Sequence, residues 1–582
     1  MKMNREFRIE KRYLNFPVKH VKYGIKKSVI HFIIDGKLAR ELEVSLAIDE
    51  PDFWVFLDVS EFKGKKATLQ IKKENEAFNK IYQADTFPGE KNLYKECLRP
   101  QFHFSTRRGW NNDPNGLVYH DGEYHLFYQH NPYGWDYGSD ANKAWGHAIS
   151  IDLIHWKEIG DAIYPDNLGG IYSGSAVVDK FNTTGFQSSD EKPIICIYTS
   201  AGGKTPWSKD KPFTQSIAFS NDRGRTFTKY SGNPVQDLIE PMNRDPKVIW
   251  HEPSNQWVIV LYLEESVMGF FTSKDLKSWE LQSRYGRENL HECPELFQLA
   301  IDGNQQNKKW ILYAGNGRYD IGQFDGKKFI PETKEIEFSY GNCFYASQTF
   351  NNVPEEDGRR IQMAWGICPM PGMPFNQQML FPVELTLRTT EDGLRMFAQP
   401  IDEIKKIYGK NWIYQEKVIE EGHHSIMEEN VDYGLYDISV EFEIGSAERF
   451  GLLIKNIQIT YDINEQKLYC QERYASLKPM DGKIKLRILV DRTTLEIFAN
   501  DGQIYMPVRT SIKLSDFSED FSKWGTDFNI SEFVELYPHK INYIVPYFKP
   551  IIIEKSNILV FSEGGETKLA KMEIYELNSI WH

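Results

Sequence analysis

Short apolar runs, mostly alternating with polar positions and broken by Gly, Asp and Asn, set the pattern of this chain. Residues 29–34, the pair Asp35-Gly36 and residues 41–47 predict two strands and a turn. Residues 53–59 and 66–71 add two more, so residues 1–98 are expected to form a β-sandwich-like unit. It contains no evident titratable cluster, which leaves an accessory structural role and ligand binding both open.

From about 100 to 400 the strands continue and a weak echo emerges. Residues 149–156, ending in Asp152-Leu153-Ile154-His155-Trp156, resemble residues 271–279, ending in Asp275-Leu276-Lys277-Ser278-Trp279. Residues 219–227 are a looser third copy. Each is a strand ending near a serine, a polar turn and an aromatic that opens the next strand. Such repetition suggests propeller blades, which gather loops from distant parts of a chain around one axis. Residues 400–420 read as a linker with a short helical turn. Residues 421–582 return to strands, with 451–454, 484–490 and 494–498 the clearest and Asn500-Asp501-Gly502 a turn, which predicts a C-terminal β-sandwich.

One stretch stands apart. Asn111-Asn112-Asp113-Pro114-Asn115-Gly116 is turn chemistry with almost no apolar surface. It is followed by Leu117-Val118-Tyr119, Asp121-Gly122 and residues 124–128, which read as a hairpin. Asp113 is therefore expected on a tight loop feeding that hairpin, held as a nucleophile needs to be. Two further carboxylates stand just before predicted strands. Asp245 follows Arg244, whose planar fork suits a carboxylate or sugar hydroxyls, and Glu292 lies in Leu290-His291-Glu292-Cys293-Pro294. Among apolar neighbours Glu292 would hold its proton, as a general acid must. Taken singly, Asp113 could be an ordinary turn residue, Asp245 a turn residue with a surface partner and Glu292 an exposed glutamate at a strand start.

Composition narrows the classes of function. Aromatics make up 14% of the 582 residues, a supply that suits β-rich cores and also sugar stacking. A formal charge of −13 leaves no basic excess to neutralise phosphates, so nucleic acid is not expected as a partner. No run reaches the length of a membrane span, and no membrane partner is expected. Six scattered cysteines without a C-x-x-C pair predict free thiols and no metal site. The charged N-terminal run has no apolar h-region, so a cytoplasmic location is expected for the chain as written, and an extracellular one if a leader was trimmed.

Together the three segments resemble the invertase, inulinase and levanase family of β-fructosidases. Trp110-Asn111-Asn112-Asp113-Pro114-Asn115-Gly116 is similar to that family's nucleophile motif, Arg244-Asp245-Pro246 to its middle motif and Glu292-Cys293-Pro294 to its acid/base motif, in the same order. Trp145-Gly146-His147-Ala148, Tyr172-Ser173-Gly174-Ser175-Ala176 and residues 491–498 also match. The resemblance covers about residues 100 to 582 and implies an all-β protein, a five-bladed propeller over 99–405 followed by the sandwich. It implies Asp113, Asp245 and Glu292 as catalytic residues, with Asn112, Gln129, Trp145, Tyr172, Ser173, Arg244 and Trp365 at the substrate and no cofactor. The family usually has an apolar residue at Asn111 and often an aspartate at Cys343. A tryptophan common before the Trp145 motif has no clear counterpart, unless Trp135 is that residue displaced. The implied reaction is retaining hydrolysis releasing fructose from fructans or fructooligosaccharides. A sucrose invertase, an endo-acting levanase, a non-catalytic fructan-binding or sensing protein and a propeller glycosidase acting on arabinose or xylose are the competing readings.

Overall fold

The computed structural model describes residues 3–20, 27–427, 434–510 and 558–581, and the protein is all-β with a few short 3-10 turns. Parts of the expected C-terminal unit, residues 428–433 and 511–557, lie outside the described residues.

The N-terminal strands form two facing sheets. One holds Met3–Arg8, Lys66–Ile71, Ser28–Ile34 and Lys37–Val44, and the other Phe53–Asp58, Tyr13–Val18 and Tyr82–Ala84. Along Phe53–Asp58 buried and half-buried positions alternate strictly, which is the pleat turning every second side chain inward. Phe16, Ile30, Phe32, Val55 and Leu69 fill the space between the sheets.

Five antiparallel units follow. Their innermost strands are Gly109–His120, Gly170–Val178, Arg244–His251, Glu295–Ile301 and Phe344–Thr349. The first three are separate sheets, and the last two are joined through the single parallel pairing of Ile301 with Leu387. Adjacent innermost strands touch from the first unit to the fourth, and the fifth touches the first, so the ring closes as a five-bladed propeller. Closure has its own latch: Phe375–Asn376 pairs in parallel with Gly109 and Trp110. Polar groups also tie the innermost strands across the blades. Ser175 Oγ donates to Pro246 O at 2.8 Å, and Gln348 Nε2 to Gly174 O at 2.7 Å.

The helical turn expected near 400 is Asp402–Ile407, but the rest of that stretch is not linker. Tyr408–Tyr414 and Lys417–Ile419 pair with Thr567–Leu577 as strands of the C-terminal sandwich. Its second sheet runs Gly422–Ser425, Ile558–Glu563, Arg449–Ile454, Ile457–Asp462, Lys467–Cys470 and Arg473–Ser476. Among the described residues no helix is long and apolar enough to cross a membrane.

Candidate active site

Asp113 does not lie on a loop before the hairpin. It lies inside Gly109–His120, in the first of two bulges, where three residue steps from Asn111 to Pro114 oppose two from His130 to Tyr128. A bulge inserts one residue, bends the strand and re-aims its side chains, and it tolerates the proline that regular pairing excludes. The hairpin turn itself is where expected, at Asp121-Gly122, both with positive φ.

The same irregularity recurs at corresponding ends of the neighbouring innermost strands. It falls between Ile171 and Gly174, Arg244 and Lys247, and Tyr345 and Gln348. Each bulge holds a polar side chain near the axis: Ser173 in the first, Asp245 in the second, and Tyr345 at the edge of the third. Glu292 stands just before Glu295–Ile301, on a backbone that packs on Gly315, whose N–H donates to Glu292 O at 2.8 Å. A Cβ on Gly315 would sit 2.9 Å from that oxygen, so a side chain there would push the Glu292 backbone away.

The three carboxylates meet through short contacts. Ser173 Oγ donates to Asp113 Oδ2 at 2.6 Å and Asn112 Nδ2 to Asp113 Oδ1 at 2.9 Å. Trp110 Nε1 fixes the Asn112 amide at 2.9 Å. Cys293 bridges two of the acids: its thiol lies 3.8 Å from Asp113 Oδ2 and 3.6 Å from Asp245 Oδ2, and its backbone N–H donates to Asp245 Oδ2 at 3.2 Å. Arg244 Nε donates to Glu292 Oε2 at 2.7 Å, and Tyr345 OH donates to Glu292 Oε1 at 3.2 Å.

Environment separates the acids. Burial raises Asp113 above the ordinary carboxylate range, while Ser173 and Asn112 pull it back down. Burial and the charge of Glu292 push Asp245 up to about 7, against the opposing pull of Arg244. Glu292 is more open than Asp245, with 32% of its side chain exposed against 7%. Its immediate partner is a guanidinium, in place of the apolar surroundings expected from sequence.

The structure thus brings together Asn112, Asp113, Ser173, Arg244, Asp245 and Glu292. Trp145 is a correction: it is fully buried, and its indole N–H donates to Tyr172 O at 3.0 Å, so it props the site from behind. Gln129 and Trp365 are 3% exposed and held by Ile171 O and the Gln377 side chain respectively. Asn111 is wholly buried, its amide nitrogen placed to donate to the carbonyls of Asn376 and Gln377. Cys343 is buried as well, away from the cluster of acids. Trp135 packs against His20 of the N-terminal sandwich and donates to Met370 O. Tyr137, two residues on, is the ring near the carboxylates, edge-on to Trp110 at 6.1 Å. Sequence reasoning missed Tyr137, Tyr345, Cys293 and Lys143. Cys293 stands within a segment already singled out and Tyr345 two residues beyond Cys343, whereas the other two carried no local signal.

Comparison with known proteins agrees with this geometry. The profile for the glycosyl hydrolases family 32 N-terminal domain matches residues 103–400, and that for the family 32 C-terminal domain matches 403–510. A levanase of Bacillus subtilis (strain 168) is 38% identical over 476 residues, which cover 72% of this chain and 68% of the levanase. An extracellular exo-inulinase of Aspergillus awamori is 30% identical, covering 70% of this chain and 89% of its own. The crystal structure of exo-inulinase from Aspergillus awamori superposes with a TM-score of 0.69 at 26% identity, over 84% of this chain and 100% of that one. Fructofuranosidase from Schwanniomyces occidentalis complexed with fructose gives 0.68 at 27%, over 84% and 99%. On these matches the chain belongs to glycosyl hydrolase family 32 and is a glycosidase.

Proposed function

We propose that the protein is a retaining β-fructosidase that releases fructose from the ends of fructans and fructooligosaccharides. The observation that carries this reading is the convergence of Asp113, Asp245 and Glu292 from three blades, each in a different environment. Asp113, gripped by Ser173 and Asn112, is the nucleophile. Its carboxylate attacks the anomeric carbon of a terminal fructose as the bond to the leaving oxygen breaks, and Glu292 gives that oxygen its proton. Water then attacks the same carbon, returns a proton to Glu292 and frees the Asp113 carboxylate. Asp245 and Arg244 hold ring hydroxyls, a grip that counts most at the oxocarbenium-like transition state.

Relatives that carry the names levanase and exo-inulinase support a fructan as the substrate. Incubation with levan, inulin and sucrose, with products resolved by chromatography, tests it. Free fructose as the main product of a fructan, with catalytic efficiency above that on sucrose, is the expected outcome. A ladder of oligosaccharides would overturn end-wise action, and no fructose from any of the three would overturn the reading as a whole.

A further inference from the structure

Lys143 is a buried cation that the reaction described above does not use. Its side chain is 4% exposed. The ammonium lies 3.3 Å from the ring centre of Tyr137 and 4.5 Å from that of Tyr172, so two aromatic faces cage it. Asp140 Oδ1 is 4.0 Å away, beyond hydrogen-bonding reach, and no hydrogen bond to the ammonium forms among the described residues. Asp140 also acts on the Tyr172 phenol, whose pKa is raised by burial and by that carboxylate. The backbone of Lys143 is fixed at the seam of two blades, because Ile171 N donates to Lys143 O at 2.9 Å.

An ammonium carries three N–H donors, and burying them without acceptors is costly. Ring faces offset the charge but accept no full hydrogen bond. The carboxylates of Asp113, Glu292 and Asp245 all act on Lys143, Asp113 most strongly of the three, without touching it. Burial lowers its pKa to about 8, against the opposing pull of Asp140 and these acids, so at neutral pH the charge is present. A lysine serving only to neutralise an acid would contact one. This one makes only a 4.0 Å ion pair with Asp140 and hydrogen-bonds no acid beside it, so its donors stay unspent.

We propose that Lys143 is a specificity-determining residue that donates a hydrogen bond to a ring hydroxyl of the fructosyl unit bound against Asp113. The inference rests on the β-fructosidase reading and adds to it a substrate contact that none of the three carboxylate motifs contains. Because the contact is to the fructosyl unit, it is shared by every substrate regardless of leaving group.

Two variants test it. Lys143→Met keeps the chain length and apolar stem but removes the donors, whereas Lys143→Gln keeps a neutral donor. Expected for Lys143→Met is a loss in kcat/KM of about tenfold or more, alike on sucrose, a short inulin oligosaccharide and an aryl β-fructoside. Fructose affinity, measured by calorimetry, should weaken to a similar degree, with Lys143→Gln intermediate and the melting temperature little changed. The inference is overturned if the parent is active and Lys143→Met stays within twofold of it in both measurements. It is also overturned if the loss is confined to one leaving group, or if both variants are equally impaired and both melt lower. If the parent itself releases no fructose from any of these compounds, the β-fructosidase reading fails and this inference falls with it.

Discussion

At the scale of single residues the pocket divides labour among chemically similar groups by what surrounds each one. Asp113 accepts two hydrogen bonds and Glu292 sits on a guanidinium and a phenol. Replacing each by its amide separates their roles. On the proposed mechanism Asp113→Asn removes the attacking oxygen, and turnover should fall by several orders of magnitude on every substrate. Glu292→Gln should cripple hydrolysis of fructans while sparing an aryl fructoside, whose leaving group departs with little protonation. Comparable losses on both substrates would point to a different acid. The pH profile reports the cluster as a whole. Asp245 is raised to about 7 by burial and by Glu292, so the coupled acids keep one proton until the pH passes that value. Above it the proton is lost and the pocket gains a negative charge, so kcat/KM should decline as pH rises through about 7. Asp245→Asn removes a negative neighbour, lowers the proton affinity of Glu292 and should move this limb to lower pH. A limb that stays in place would mean that another group titrates there.

At the scale of elements, the segment from Tyr133 to Lys143 is where the N-terminal sandwich meets the pocket. Tyr133 packs against Phe16, Lys27 pairs with Asp136 at 2.6 Å, and Asn142 exchanges two 2.8 Å hydrogen bonds with the backbone of Glu43. That segment carries Tyr137 and Asp140 and ends at Lys143, so the sandwich braces one wall of the site. Asn142→Ala should lower stability by about 1–3 kcal/mol and raise KM several-fold with kcat nearly held. Unfolding curves and steady-state kinetics check this, and an unchanged KM would leave the sandwich without influence on the wall. Sequence reveals some of these elements and hides others for physical reasons. The echo of residues 149–156 in 271–279 and 219–227 is one recurring turn between the third and fourth strands of three blades. In each, a serine hydroxyl and an aspartate carboxylate cap the turn: Ser150 with Asp152, Ser273 with Asp275, Ser220 with Asp222. Side-chain caps require particular residue types, so they leave a readable trace. The bulges do not. Asn111 and Asn115 are fully buried by other blades, yet their composition reads as a solvent-facing turn, which is why the strand seems to begin at Leu117. Lys143 was illegible for a related reason, since Tyr172 reaches its cage from the next blade.

Across the whole molecule, the propeller and the C-terminal sandwich are joined through a buried ionic cluster built from residues 491–498, a segment noted above for its resemblance and as a strand. His103, at the start of the propeller, sits between Asp491 at 2.7 Å and Glu496 at 2.5 Å, and all three side chains are wholly buried. Asp491 also accepts the backbone N–H groups of Gln101 and Phe102, and Glu496 accepts that of Phe381 and the Tyr505 hydroxyl. Only an imidazolium can donate to both carboxylates at once, so the cluster works with His103 charged. Burial opposes that charge, but the bonds to Asp491 and Glu496 outweigh burial and raise His103 to about 9 from an ordinary value near 6.5. A histidine whose pKa is raised on folding stabilises the fold fully below its unfolded value. It loses that contribution as pH climbs through the folded one. The difference corresponds to about 3 kcal/mol, present at pH 6 and gone by about pH 10. His103→Gln leaves the two carboxylates without their shared cation and should cost about 3–5 kcal/mol near neutral pH. Melting temperatures of parent and variant, followed from pH 6 to 10, should therefore converge at the alkaline end. A gap that stays constant across that range would show that His103 contributes by packing and not by its proton.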